Sequence, residues 1–202
     1  MSKYLVTTAD MINSRDVSTE QIATIPEKLK QIDADFHTLI PSMLFAGDEI
    51  QLLFPYDQNH HPYRLLMDLN RHLAPFHFRF GFGIGAIDQP INPIIAHNKG
   101  QAFLQARKAL AIAKKDQLIA WLSTEEIVQY SEINACFLLL TALTRKWSDK
   151  HWRRFYLYWD NHSIHKVAEI ENVSPESINK LLNNAGIRLI IRSLELITEL
   201  HE

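Results

Sequence analysis

The stretch Phe76–Ile87, FHFRFGFGIGAI, constrains this chain more than any other. Large apolar residues alternate there with short or polar ones, the two-residue period of a strand rather than the 3.6-residue period of a helix. Gly81, Gly83 and Gly85 alternate with Phe80, Phe82 and Ile84, so one strand face is aromatic and aliphatic while the other is stripped of side chains. A bare face admits something at close range, either a helix or a ligand. A helix is the expectation. Residues 100–115 carry Ala102, Ala106, Ala109 and Ala113 on one stripe, and small residues let a helix approach a sheet.

Other segments supply the rest of a sheet domain. YLVTTA (4–9) is a β-branched run that ends at Asp10. Ile25, Leu29, Ile32 and Phe36 recur at helical spacing, with Thr24 and Glu27 as a capping box and Pro26 in the first turn. LFAGDEIQLLF (44–54) reads as two strands joined tightly at Gly47 and Asp48. Pro62 opens a helix carrying Leu65, Leu66, Leu69 and Leu73, and QLIAWL (117–122) supplies a last strand. The order β-α-β-β-α-β-α-β predicts an α+β, ferredoxin-like sheet domain over residues 1–122.

From 123 to 202 only helical patterns follow. Ser123 and Glu126 are a capping-box pair ahead of an apolar run that contains the single cysteine, Cys136, so no disulfide forms within the chain and a buried small hydrophobe is expected there. Over about 148–186 the helices are short and well punctuated. Ser148, Ser163 and Ser174 sit at caps, Asn172 at a turn that requires left-handed backbone, and Pro175 at a first helical position. That is the spacing of a helix-turn-helix. Its third helix would bury Ile178 and Leu182 and offer Glu176, Ser177, Asn179, Lys180 and Asn183 to DNA bases, with Arg153, Arg154 and Lys166 on phosphates. Glu171 departs from the pattern, because an apolar residue is usual just before the turn. Nine Lys/Arg against eight Asp/Glu from Arg145 onward is a weak charge bias for duplex DNA, and a bundle packing on the sheet domain or on a second protomer stays open as the alternative. A homodimer is therefore a candidate assembly.

Asp10, Asp48 and Glu49 would share one end of the sheet. Either they form a solvated, charged hairpin tip, or they form an oxygen-rich site suited to Mg²⁺ or Mn²⁺, which would in turn hold a nucleotide's phosphates. His162 and His165 lack a third ligand at suitable spacing and read as solvated loop and helix-start groups, and His60 and His61 read as a polar entry to the second helix. The glycines of 81–85 lie inside a strand, which rules out a dinucleotide-binding loop.

In their order and spacing, ADMINSR at the first strand, GDEIQ at the hairpin, RFGFGIG, GQAFLQARKAL and the terminal helix-turn-helix resemble the SatD family over almost the whole chain. The sheet part is also distantly similar to the palm-type domains of class III nucleotide cyclases and GGDEF diguanylate cyclases, and the helical end to sigma-factor DNA-reading modules. The cyclase resemblance implies Asp10 and Asp48 as metal ligands, Glu49 as a third acid, the backbone of Ile12, Asn13 and Ser14 as a phosphate cradle, and Arg107 as the catalytic arginine. Two departures weaken turnover: Phe103 stands where cyclases have an asparagine, and Ala46 where the diguanylate enzymes have a glycine. Together these readings predict a DNA-binding regulator whose palm-like domain binds a metal with a nucleotide or other phosphorylated ligand. A metal-dependent nucleotidyl cyclase using its helices for assembly is the alternative.

A net charge of −2 over 202 residues fits neither a nucleic-acid mop nor a membrane-surface binder. No run approaches the roughly 18 apolar residues of a membrane span. The apolar N-terminal run is too short for a signal peptide, so a cytoplasmic protein is expected.

Overall fold

The computed structural model describes residues 2–57, 60–125 and 130–199. The chain divides into two compact units, Met1–Leu138 and Leu139–Glu202.

The first unit is built on a five-stranded sheet: β1 (Tyr4–Met11), β2 (Met43–Phe45), β3 (Glu49–Pro55), β4 (Phe78–Gly85) and β5 (Ala120–Ser123). The strand order is β2-β3-β1-β4-β5, with β1 antiparallel to β3 and β4, and β5 parallel to β4. The first four strands have the ferredoxin-like arrangement and the parallel β5 extends it. Helix α1 (Thr19–Ile22) and helix α2 (Ile25–Phe36) follow β1, α3 (Pro62–Leu73) follows β3, and α4 (Gln101–Lys115) joins β4 to β5.

The two faces of β4 have the distinct roles expected of them. On the aromatic face, Phe78, Phe80 and Phe82 are fully or almost fully buried. Phe82 stacks on Phe137 at 5.8 Å, and Phe137 on Tyr63 of α3 at 6.1 Å. The bare face receives α4. A Cβ on Gly83 would collide with the carbonyl oxygen of Ala102 and the amide nitrogen of Ala106, so helix backbone lies directly on strand backbone. Val6, Leu53, Ala102, Phe103 and Ala106 close this second core. The outer edge at β5 is held by Asn134 of α5 (Ser131–Thr144). Its Oδ1 accepts from the Leu122 N–H at 2.8 Å and its Nδ2 donates to the Leu122 carbonyl at 2.9 Å, as a further strand would.

Local corrections have simple causes. Thr24 does not cap α2, because its hydroxyl donates to the Gln21 carbonyl at 2.7 Å; the capping box belongs to Ser18 and Gln21 on α1. Ser123 is the buried last residue of β5 and not a helix cap, and Glu126 lies outside the described residues. Cys136 is half-buried rather than buried, and burial followed by the Glu132 charge pushes its thiol pKa up. His60, just ahead of α3, is buried, bonded to Asp57 at 2.7 Å and to the Phe36 carbonyl at 2.9 Å.

In the second unit, α6 (Asp149–Asn161), α7 (Ile164–Glu171), α8 (Pro175–Asn184) and α9 (Ile187–Glu199) follow the end of α5. Phe155 of α6 is fully buried, ringed by Trp147, Trp152, Tyr156 and Trp159. Asn172 adopts the left-handed turn at φ 51°, and Ser163 and Ser174 accept the cap bonds of α7 and α8. Helices α7 and α8 are the helix-turn-helix. Among the described residues no helix is long and apolar enough to cross a membrane.

Candidate functional site

The acids gather at one end of the sheet because strand register puts them there. Asp10 stands opposite Glu49 on β3 and opposite Arg79 on β4. Side chains alternate along a strand, so Asp10 shares the α4 face with Val6 and Thr8. The hairpin between β2 and β3 turns through Ala46 at φ 48° and Gly47 at φ 87°, the geometry of a primed turn. For Ala46 the left-handed backbone costs about 1 kcal/mol. The turn delivers Asp48 beside the end of β1: the Met11 N–H donates to the Asp48 carbonyl at 2.8 Å, and the Ser14 hydroxyl donates to its carboxylate at 3.1 Å. Asn13, at φ 56°, reverses the chain between Ile12 and Ser14, whose short 3₁₀ turn runs on to Asp16.

The cation paired with Asp10 is Lys114. Ala102 lies against Gly83 and Gly85 and Leu110 against Gly81, so α4 runs back along β4 and carries its last turn to the level of Arg79. From there Lys114 Nζ reaches Asp10 Oδ1 at 2.6 Å. Arg107 is exposed on the same helical face seven residues earlier, about 10 Å along the axis. It makes no ion pair among the described residues. Sequence reasoning missed Lys114, although its seven-residue spacing from Arg107 is a signal for a shared face.

A resident divalent ion does not fit this arrangement. Among the described residues no group of three or more His, Cys, Asp or Glu side chains is placed to hold a metal. Asp10 is paired with an ammonium, and one Asp48 oxygen accepts from the Ser14 hydroxyl. A metal would have to displace Lys114.

On the helix-turn-helix, Ser177, Asn179, Lys180 and Asn183 are exposed while Ile178 and Leu182 are fully buried. Glu176 is exposed beside the α8 N-cap, where its own backbone N–H and the Ser174 side chain hold its carboxyl below the usual range. Arg188 of α9 bridges α8, donating to Asn183 Oδ1 at 2.9 Å and to Asn179 Oδ1 at 2.8 Å. Lys166 is exposed. Arg154 corrects the phosphate-contact expectation: only 2 % exposed, it donates from Nε to Glu171 Oε2 at 3.0 Å. Arg153, largely exposed, holds the other oxygen at 2.7 Å. Glu171 breaks the apolar pattern before the turn because it is the acceptor for both guanidiniums. Burial raises its pKa, but the Arg154 hydrogen bond and the Arg153 charge and hydrogen bond outweigh that, leaving the carboxyl below its ordinary value.

The fold defines a ferredoxin-like palm unit followed by a helix-turn-helix unit. The chain belongs to the SatD family, whose profile matches residues 4–201. No curated protein matches it. Among solved structures it is similar to a bacterial light-regulated adenylyl cyclase, at 11 % identity and TM-score 0.47, covering 65 % of this chain and 80 % of that one. It is also similar to a microbial GGDEF domain described with bis-(3,5)-cyclic di-GMP, at 14 % identity and TM-score 0.39, covering 61 % and 78 %. A guanylyl cyclase follows at 14 % identity and TM-score 0.34, covering 55 % and 73 %.

Proposed function

We propose that this SatD-family chain is a DNA-binding regulator that reads duplex DNA through α8. The observation that carries the reading is the division of α8 into a fully buried Ile178/Leu182 side and an exposed side bearing Ser177, Asn179, Lys180 and Asn183. A helix fixed by its apolar side and offering amides, a hydroxyl and an ammonium has the chemistry that base edges and phosphates accept. Arg188 adds a forked donor already oriented by two asparagines. A second copy of the chain would present a second α8 to a half-site one helical turn away, about 34–36 Å.

For the palm unit, the reading is a ligand-binding end in which Lys114 stands on Asp10. Binding of a metal with a nucleotide there requires Lys114 to leave. Cyclase turnover is not favoured by the geometry. Phe103 is buried in the core, and Arg107 lies two helical turns from Lys114.

The test is a mobility shift with the chain's own upstream DNA at two salt concentrations. Lys180→Glu is expected to weaken binding by about 1–3 kcal/mol if Lys180 meets a base, while leaving folding nearly unchanged. A shift that is equal in parent and variant, or no shift at low salt, would sink the reading.

A further inference from the structure

Within the helical unit, the end of α5, the start of α6 and one flank of α8 border an open-sided cavity of about 480 Å³. Arg145, Lys146, His151, Arg154 and Lys180 line it, and no Asp or Glu does. Arg145, Lys146 and Lys180 are exposed and make no ion pair among the described residues. Three like charges around one cavity whose lining holds no carboxylate repel one another, and an anion relieves that repulsion. His151 belongs to the first turn of α6, whose dipole adds positive potential that Asp149 in the same turn offsets in part. One wall is flat, with Trp147 and His151 stacked at 6.3 Å and 20°. Leu143 and Leu181 add apolar surface.

We infer that this cavity is a binding site for a phosphorylated small molecule with an aromatic body. Its volume lies in the roughly 300–1,000 Å³ range of small-ligand sites. An arginine fork with lysines suits a phosphate, and the Trp147/His151 wall suits a ring. Duplex DNA is the weaker candidate for occupant. Arg154 in the cavity wall is only 2 % exposed and already paired with Glu171, so the charge on offer comes from Arg145, Lys146 and Lys180. The α8 flank used here carries Ser177, Leu181 and Asn184, whereas Asn179 and Asn183 lie on the flank held by Arg188. Ser177 and Lys180 belong to both the cavity and the DNA-reading face. Occupancy therefore withdraws them from DNA, a coupling that rests on the regulator reading, although the cavity's own chemistry does not.

The experiment is calorimetric titration of the full chain, at constant ionic strength, with pyrophosphate, AMP, GMP and, as the uncharged control, adenosine. AMP or GMP is expected to bind more tightly than pyrophosphate, with adenosine silent. The double variant Arg145→Glu/Lys146→Glu, checked for parental circular dichroism, is expected to weaken binding about tenfold or more. Saturation with the bound nucleotide should release duplex in the mobility shift. Failure of every phosphorylated probe to bind, or equal binding by the double variant, overturns the cavity assignment. Binding without release of duplex overturns the coupling alone. If no duplex binds but AMP or GMP does, the regulator reading fails and the cavity assignment stands.

Discussion

Glu171→Gln should destabilise the helical unit by about 2 kcal/mol, and the structure says where that figure comes from. Glu171 is held by two Nε–H donors, at 2.7 Å from Arg153 and 3.0 Å from Arg154. The Arg153 side chain is 66 % exposed, so its share is discounted to a surface pair of about 0.5 kcal/mol. The Arg154 side chain is 3 % exposed, and losing its counterion strands a buried guanidinium, which costs about 3–5 kcal/mol when the partner is removed outright. Glutamine keeps the shape and one acceptor, which brings the cost toward about 2 kcal/mol. Glu171→Leu should show the full cost, and Arg153→Ala only about 0.5 kcal/mol. The double variant Arg154→Met/Glu171→Leu should return to within about 1 kcal/mol of the parent, because an apolar pair replaces a desolvated one. Urea denaturation followed by tryptophan fluorescence reads this, since Trp147, Trp152 and Trp159 surround Phe155 in the same unit. Equal losses for Glu171→Gln and Arg153→Ala, or a double variant no better than Glu171→Leu, would refute the reasoning. The pH dependence has a definite sign. The folded carboxyl is held below its ordinary 4.5, so its contribution is complete above that value and is lost as pH falls through the lower folded value. The stability gap between parent and Glu171→Gln should therefore narrow in acid.

Gly83→Ala should cost about 3 kcal/mol or more, since the new methyl meets backbone atoms of Ala102 and Ala106 that cannot rotate away; a thermal midpoint within two or so degrees of the parent would contradict it. Lys114→Met should convert a chain without a Mn²⁺ response into one whose thermal midpoint rises with Mn²⁺, because Asp10 loses its ammonium. An identical Mn²⁺ response in both proteins would show that Lys114 does not guard Asp10.

What is legible in the sequence is what periodicity and caps encode. The alternation of Phe80, Phe82 and Ile84 with glycines names both faces of β4, and Pro62, Ser163 and Ser174 mark helix starts where they occur. Caps are less secure where two serine or threonine residues compete nearby: Ser18 finds a reciprocal partner in Gln21, and Thr24 spends its hydroxyl on a carbonyl. The acidic end is legible because Asp10 and Glu49 lie at strand ends and Asp48 in the turn between two strands. Its neutralisation is not, since the Lys114 contact depends on the direction in which α4 crosses the sheet. Arg154 escapes a sequence reading for a related reason. Adjacent arginines look alike in sequence, but successive helical positions point about 100° apart, so one faces solvent and the other the interior.

The glycine track on β4 has a mechanical consequence. Where backbone rests on backbone there is no cushion of rotatable side chains to absorb a shear, so α4 cannot creep along the strand by fractions of a turn. A slip of one full turn would carry Lys114 about 5.4 Å from Asp10 and break their contact. The helix is thus a bolt with a single seated position. Any ligand that takes Asp10 from Lys114 must swing the lysine's flexible stem aside, because the helix beneath it will not move.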